Sequence, residues 1–197
     1  MASTKPTQDQ IEDAILASRF GDLDDLKAFV DEFGKEALAE GRDERGNSVL
    51  HMCCGNGHLD VLEYILPLVP SSLLTATNEA GSPPLHYAIM NNKTECVKKL
   101  VELPEEQGGG LPILKQKNAN GRDAFLESCW SGEGKEEVSG WIEGYLYRVE
   151  GADDEDYEAQ AKEVKMEEGD EVVQAEASAV DELAEKAEGL DVKEKEN

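Results

Sequence analysis

A short motif recurs along the 197-residue chain, and this repetition constrains the fold more than any other feature of the sequence. Gly46-Asn47-Ser48-Val49-Leu50-His51 is followed 35 residues later by Gly81-Ser82-Pro83-Pro84-Leu85-His86. A weaker third copy, Gly121-Arg122-Asp123-Ala124-Phe125-Leu126, begins 40 residues after the second. Repetition with a period of about 33 residues is typical of solenoids, in which each unit buries its apolar side against its neighbours. Such arrays present surfaces, so the sequence predicts binding more readily than catalysis.

Each copy carries the local signals of a turn followed by a helix. The glycine that opens each copy stands where a tight turn requires positive φ, and Ser48 and Pro83 are typical of helix starts. Apolar residues then recur with helical spacing, as in Leu59, Leu62, Ile65 and Leu66. A hairpin of two such helices is too small to bury its apolar stripe alone, so we predict an all-α fold of stacked helix pairs.

The second unit, from Asp43 to His58, resembles the ankyrin repeat, whose signature is roughly D-x-x-G-x-T-P-L-H-x-A-A-x-x-G-H. The third unit keeps Pro84-Leu85-His86, and the outer two units are more degenerate, as capping units are when one face must meet water. The resemblance implies an ankyrin-repeat solenoid of about four repeats. We therefore expect an ankyrin-repeat domain over residues 10–149 and an acidic C-terminal extension over residues 150–197.

The negative charge is concentrated in that extension. The chain has a net charge of −25, and residues 151–197 carry 18 acids against 5 lysines. With so few bulky residues the segment cannot offset its ordering entropy, so we expect most of it to be disordered when free. It is either a solvated appendage or a long-range attractor for a basic partner, beginning with Asp153, Asp154, Glu155 and Asp156. Its helical seam, able to fold onto a partner or onto the array, consists of Val180, Leu183, Ala187 and Leu190.

The residues that often carry chemistry are not arranged for it. The cysteines at 53, 54, 96 and 129 lack metal-ligand spacing, and we expect buried free thiols in a reducing compartment. His51 and His86 occupy the signature position whose histidine, in the family, ties neighbouring repeats together by hydrogen bonds. We predict no catalytic site, no metal and no cofactor. The Gly108-Gly109-Gly110 run lacks the Lys-Ser/Thr of a phosphate loop, and we interpret it as a flexible insertion between the third and fourth units.

The ankyrin resemblance also implies a partner-binding surface, because turn tips and exposed inner-helix positions line the concave groove of these proteins. Phe20, Met90 and Trp130 are large and apolar where water is expected; local packing explains any one of them, but together they favour a binding stripe. Gly55 lies between them and predicts a gap that admits a bulky partner side chain. The implied surface comprises Arg19, Phe20, Glu44, Arg45, Asn47, Asn56, Glu79, Ser82, Met90, Asn91, Asn120, Arg122 and Trp130.

A partner for such a surface should be basic and carry an apolar ridge, as a Lys/Arg-rich amphipathic helix does. Four short ankyrin units and an acidic tail resemble the fungal ankyrin-repeat chaperones of the KH-domain small-subunit ribosomal protein (universal small-subunit protein three). The segments that carry this resemblance are 14–23, 120–125, 134–138 and 151–156. It implies a soluble escort, monomeric before it binds its client, that protects a newly made basic ribosomal protein until assembly and works in cytoplasm and nucleus.

One alternative needs the same groove and the same charge: an ankyrin inhibitor that masks the basic import signal of a transcription factor. Length disfavours it weakly, because such inhibitors usually carry more repeats. Direct nucleic-acid binding is not expected of so acidic a chain. Residues 1–10 are polar and no apolar run approaches the length of a membrane span, so we expect neither a leader nor a membrane segment.

Overall fold

The chain is helical throughout the part described by its computed structural model, residues 5–130 and 134–151. The acidic tail, with Asp153–Asp156 and the seam from Val180 to Leu190, lies outside these residues. Short 3-10 turns occur at Ser71–Leu73 and Glu105–Gln107. The α-helices of the described part are α1 (Gln8–Phe20), α2 (Leu23–Phe33), α3 (Lys35–Glu40), α4 (Val49–Asn56), α5 (Leu59–Ile65), α6 (Pro84–Met90), α7 (Thr94–Val101), α8 (Gly110–Lys115), α9 (Ala124–Trp130) and α10 (Glu136–Glu150).

Four helix pairs, α1–α2, α4–α5, α6–α7 and α9–α10, stack side by side. The first helices of the pairs pack on one another in the order α1, α4, α6 and α9, and the second helices pack in the order α2, α5, α7 and α10. Leu26, Leu62, Leu100 and Ile142 of the second helices are fully buried between the layers. The predicted all-α array of four units is confirmed.

Local capping explains several helix ends, and α4 and α6 begin directly after Ser48 and Pro83 as the sequence predicted. Thr7 caps α1, because its Oγ1 accepts a hydrogen bond from the Gln10 amide while Gln10 Oε1 accepts one from the Thr7 amide. Ser48 stands at the start of α4, and Pro83 precedes α6 with Pro84 in its first turn. In the first two units, left-handed glycines then end the first helices.

The repeated turns are locked to one another by backbone hydrogen bonds. The Glu79 amide donates to the Arg45 carbonyl at 3.0 Å, and the Ala119 amide donates to the Gly81 carbonyl at 3.1 Å. Gly46, Gly81 and Gly121 have φ values of 73°, 69° and 75°, as the sequence predicted. At Gly81 a second constraint is added, because a Cβ there would lie 2.5 Å from the Cβ of Ala119.

One of the two signature histidines ties its repeat to the next, and the other does not. His51 accepts the Ser48 amide on Nδ1 at 3.1 Å and donates from Nε2 to the Ser82 carbonyl at 3.0 Å. Both ring nitrogens of His86 are buried without a hydrogen bond among the described residues, although the Gln116 backbone lies close enough to favour protonation. His86 therefore does not make the expected hydrogen bond to the next repeat. Its Nδ1 also lacks the local partner that Ser48 gives His51, because Pro83 stands at that position and offers neither an N–H nor a hydroxyl.

The Gly108–Gly110 run is not the flexible insertion that the sequence suggested. A Cβ on Gly109 would collide with the Leu103 carbonyl oxygen, and one on Gly110 would lie 2.6 Å from Glu105 Cγ. Gly109 and Gly110 are both buried, and α8 begins at Gly110. The glycines thus allow a tightly packed turn between the third and fourth units, where any side chain would displace the backbone.

Candidate functional site

The predicted partner residues lie on one face of the array, formed by the repeat turns and the exposed sides of α1, α4, α6 and α9. We call this surface the groove face. A cleft of about 290 Å³ opens in it between α1 and the turn of the second unit. Ile15, Leu16 and Met52 form its apolar floor. The charged and polar residues around that floor are Glu12, Arg19, Asp43, Glu44, Arg45 and Asn47.

The first unit exposes the largest apolar area of the groove face. Phe20 is 72% exposed, and Leu16, one helical turn earlier, is 43% exposed. Leu16 and Met52 were missed by the sequence reasoning, which looked only at the C-terminal ends of the inner helices. Aligning the units on their small residues Ala17, Cys53 and Ala88 would have found them. That alignment places Leu16, Met52 and Tyr87 at one equivalent position, each directly before its unit's small residue.

The gap expected above Gly55 does not exist, because Tyr87 fills it. A Cβ on Gly55 would lie 3.2 Å from Tyr87 Cδ1. The Tyr87 hydroxyl accepts a hydrogen bond from Asn78 Nδ2 at 2.8 Å, and its ring meets that of His51 edge-on with centroids 5.3 Å apart. Gly55 is therefore needed for close packing of α4 against α6. Tyr87 extends the apolar floor across the contact between the second and third units.

Asn47 and Ser82 have structural roles that the sequence prediction did not include. Asn47 is only 3% exposed; its Nδ2 donates to Asp43 Oδ2 at 2.9 Å and its Oδ1 accepts from Asn78 Nδ2 at 2.8 Å. Ser82 is half-buried, and its carbonyl accepts the bond from His51. The prediction that Asn47 contacts a partner directly is thus corrected, because both ends of its side-chain amide form the hydrogen bonds that join two turns.

The remaining predicted polar residues stay accessible. Asn56 and Asn91 are exposed, and each donates from Nδ2 to a carbonyl one turn earlier in its own helix. The exposed turn tips display the side chains of Glu44, Arg45, Glu79 and Asn120. The side chains of these residues, which include carboxylates and amides, are therefore available to contact a partner.

Trp130 is covered by a residue of the same face. The guanidinium of Arg122 lies 3.7 Å from the centroid of the Trp130 ring, and its Nη1 is 3.6 Å from Glu127 Oε2. Glu127 is buried and also accepts a hydrogen bond from Asn118 Nδ2 at 2.7 Å. Trp130 and Met90 are half-buried while Phe20 is exposed, so the three do not form one evenly exposed stripe.

The thiols are set up for packing. Cys53, Cys54 and Cys96 are buried and unbridged, and Cys129 is half-buried and unbridged. Burial raises the pKa of Cys96 to about 12, and a hydrogen bond with Cys53, together with burial, raises the pKa of Cys54 well above its usual value. Thiols held so firmly in the protonated form are poor nucleophiles and poor metal ligands. Within residues 5–130 and 134–151, no cluster of His, Cys, Asp or Glu has the arrangement of a metal site.

The part of the chain before the tail is acidic as well. Residues 1–150 carry 26 acids against 14 bases, so the repeat units repel anions and attract cations. None of the helices in the described part has the length and apolar composition to cross a membrane.

Comparisons with known proteins agree with this architecture. Residues 14–108 match the family profile of ankyrin repeats in three copies. The chain is 32% identical over 200 residues to the ankyrin repeat-containing protein YAR1 of Saccharomyces cerevisiae, covering 94% of each protein. It is 35% identical over 105 residues to the ankyrin repeat-containing protein P16F5.05c of Schizosaccharomyces pombe, covering 53% of this chain and 67% of the relative.

Among solved structures, the chain is similar to one in the crystal structure of the yeast ribosomal protein Rps3 in complex with its chaperone Yar1. The TM-score is 0.61 at 31% identity, and the match covers 69% of this chain and 92% of the other. The 32% identity to the yeast ankyrin repeat-containing protein over 94% of both chains, together with the repeated turns and stacked helix pairs, leads to one conclusion: the chain belongs to the ankyrin-repeat family.

Proposed function

We propose that this chain is a dedicated chaperone that binds a newly made, basic small-subunit ribosomal protein, keeps it soluble and protects it until assembly. The observation that carries the proposal is the likeness to Yar1, which extends over 94% of both chains and includes the region beyond the repeats. Yar1 is named as the chaperone of Rps3 in the solved complex. The role is one of binding, since the groove face offers an apolar floor and charges without a nucleophile paired to a base.

The groove face suits a cationic amphipathic helix. Outside the ribosome, a ribosomal protein lacks the RNA phosphates that neutralise its positive charge. Acidic groups of the groove face would replace those phosphates, and the apolar floor would cover the client's apolar surface. Leu16, Phe20 and Met52 would contact the apolar side of the client helix. Carboxylates near the floor and on the turn tips, those of Glu12, Glu44 and Glu79, would meet its Lys and Arg side chains.

The first two units should hold the client more strongly than the fourth. Phe20 and Leu16 are already exposed, whereas Trp130 is covered by Arg122 and is reached only when the guanidinium moves. The Arg19 guanidinium carbon is 6.0 Å from the Phe20 ring centroid and leaves most of that ring exposed, so contact with Phe20 requires less reorganisation than contact with Trp130. We therefore assign the main anchor to Leu16, Phe20 and Met52, and a secondary contact to Met90, Asn91 and Trp130.

Before client binding the chain would be a monomer, because a net charge of −25 opposes self-association. A ribosomal protein is made in the cytoplasm and enters pre-ribosomes in the nucleus. We therefore propose that the chaperone accompanies its client through both compartments. Labelling the chain in living cells and blocking nuclear export tests this part, because an escort should then accumulate in the nucleus.

Purification of the tagged chain from cell extract tests the proposal as a whole. We expect a basic small-subunit ribosomal protein to co-purify in equal amount, and the double variant Leu16→Ala/Phe20→Ala to lose it. The loss of affinity should reach about 10- to 100-fold, in the range of anchor residues. Gln107→Ala, an exposed change in the 3-10 turn Glu105–Gln107, is the matched control and should bind normally. Recovery of a transcription factor instead would favour the inhibitor alternative.

A further inference from the structure

The last helix of the array exposes aromatic residues where a capping unit should present polar ones. Tyr147 of α10 is 57% exposed. Trp141 and Tyr145 are half-buried and stacked, with ring centroids 5.6 Å apart and planes inclined by 30°. In the described part of the chain, α10 has 15 residues whereas α5 and α7 have 7 and 8. The aromatic residues therefore lie on a long helix, which is a rigid support.

Two glycines lie beside these aromatic residues on α10. Gly140 and Gly144 are exposed, and a Cβ on either would meet nothing within 4 Å among the described residues. Spacing of i, i+4 and i+7 places Gly140, Gly144 and Tyr147 on one stripe of the helix. Glycine is the least favourable residue after proline in a helix interior, so folding alone gives no reason for it here. A bare strip of backbone beside the stacked Trp141–Tyr145 pair permits close approach of a second helix.

The charges around this surface select the kind of helix that fits. Glu136, Glu137 and Glu143 are exposed, against one exposed base on α10, Arg148. A partner helix bearing Lys or Arg gains from these carboxylates and from the exposed ring of Tyr147, whereas Tyr145 already has the Arg148 guanidinium 5.9 Å from its ring centroid. A second copy of the chain would bring the same acidic surface and a further net charge of −25, and a nucleic acid would bring phosphates. Both are repelled.

We propose that the α10 face, formed by Gly140, Trp141, Gly144, Tyr145 and Tyr147, is a second docking surface, for a Lys- or Arg-bearing helix of a partner protein. It is separate from the groove face, because it lies on a second-layer helix while the groove face is built from the turns and the first helices. The proposal does not depend on which client occupies the groove.

The two tryptophans of the chain allow the two surfaces to be observed separately. Trp130 lies on the groove face and Trp141 on the α10 face, and there are no others. The full chain carrying Trp130→Phe therefore reports only the α10 face, and Trp141→Phe reports only the groove. The probe is a synthetic amphipathic peptide of about 18 Leu and Lys residues, whose apolar side follows helical spacing.

We expect saturable quenching or a blue shift of Trp141 emission when this peptide is added to the Trp130→Phe protein. Gly144→Leu in that background should weaken the Trp141 response at least tenfold, because the leucine covers the strip of backbone beside the Trp141–Tyr145 pair. Gly144→Ala is the matched control, as it adds only a methyl group and should keep most of the binding. Both changes improve helix propensity, so neither should lower Tm. The response of Trp130 in the Trp141→Phe protein should be the same with and without Gly144→Leu.

Two results would overturn the proposal: no response of Trp141 to the peptide, or equal affinities for Gly144→Leu and Gly144→Ala. Should Gly144→Leu lower Tm, the double change Glu137→Lys/Glu143→Lys replaces it, since both carboxylates are exposed. It must weaken the Trp141 response for the proposal to stand. A Leu-Ser peptide of the same pattern that binds as well as the Leu-Lys peptide would contradict the choice of a cationic partner. Loss of the Trp130 response alone would count against the groove proposal and leave this one intact.

Discussion

At the scale of single residues, consecutive repeats are less alike than their signatures suggest. His51 and His86 occupy the same position, and both are fully buried. His51 has a partner for each ring nitrogen, whereas neither ring nitrogen of His86 has a hydrogen bond among the described residues. The two histidines are thus equally buried but differ in the free energy of burial, because a buried polar group without a partner costs about 1–3 kcal/mol.

The buried histidines predict that acid destabilises the array. Burial lowers the pKa of His51 to about 4, and it lowers the pKa of His86 as well. As pH falls below about 6.5, His51 of the unfolded chain binds a proton, whereas His51 of the folded chain stays neutral. Stability is therefore intact above that pH and is lost progressively down to pH 4. His51 alone accounts for about 3 kcal/mol at about 1.4 kcal/mol per pKa unit.

Urea unfolding at a series of pH values checks this prediction. The wild type should lose unfolding free energy more steeply between pH 6.5 and 4 than His51→Gln, which removes the titrating group and keeps a side chain able to hydrogen bond. The comparison of two slopes removes the contribution of the many carboxylates, which is common to both proteins. Parallel slopes would show that His51 is not responsible.

Two turn glycines provide a matched pair for separating backbone strain from packing. Both Gly81→Ala and Gly121→Ala place a Cβ at positive φ, which costs roughly 1–2 kcal/mol. Only at Gly81 does the new atom meet Ala119 Cβ at 2.5 Å, while at Gly121 nothing lies within 4 Å. Gly81→Ala should thus be the more destabilising by about 1–3 kcal/mol, the usual cost of overpacking. Equal midpoints of thermal unfolding would contradict this explanation.

At the scale of the helices, burial and exposure separate stability from binding. Leu62 of α5 is fully buried, and Leu62→Ala should cost roughly 2–5 kcal/mol of unfolding free energy. Phe20 lies at the exposed end of α1, so Phe20→Ala should change stability by less than about 0.5 kcal/mol and weaken client binding by about 1–4 kcal/mol. Chemical unfolding and calorimetric titration of both variants decide this. If Phe20→Ala unfolds the protein while its folded fraction binds normally, Phe20 belongs to the core.

The elements that the sequence predicted are those specified by local chemistry. Caps, left-handed glycines and apolar periodicity act within a few residues, so α1, α4 and α6 could be located from their letters. The packed glycine turn before α8 could not, because Gly109 is required by the Leu103 carbonyl, a neighbour known only in three dimensions. The same holds for the candidate site. Tyr87 over Gly55 and Arg122 over Trp130 are contacts between units or across a turn, and the signature of a single repeat does not contain them.

At the scale of the whole molecule, charge is the dominant property. The repeats and the tail are both acidic, with 18 acids against 5 lysines in residues 151–197. Charges on a tail act through a field that salt screens over about 8 Å at physiological ionic strength. Such a field speeds encounter with a cationic client more than it holds the final complex.

Deletion of residues 152–197, which leaves the α10 cap at Gly151 in place, separates these effects. We expect the association rate with the client to fall and its salt dependence to flatten, while the dissociation rate changes little. The seam from Val180 to Leu190 adds a condition: if it docks on the client, deletion also speeds dissociation, and Leu183→Asp with Leu190→Asp reproduces that part alone. Stopped-flow rates at low and high salt measure both. Unchanged rates and unchanged client solubility would leave the tail as a solvated appendage.

The unequal joints between repeats give the array a mechanical polarity. His58 Nε2 bonds to the Arg19 carbonyl at 2.9 Å across the first joint, and His51 bonds to Ser82 across the second. At the third joint Lys135 Nζ donates to the Met90 carbonyl at 2.6 Å, but neither ring nitrogen of the buried His86 forms a hydrogen bond within the described residues. When the chain is pulled from both ends in optical tweezers, α9 and α10 should unfold in a first step at low force. The other three helix pairs should unfold in a later step at higher force. A motor protein that pulls on the C-terminal end would thus unfold the last helix pair while the client stays bound at the anchor on α1.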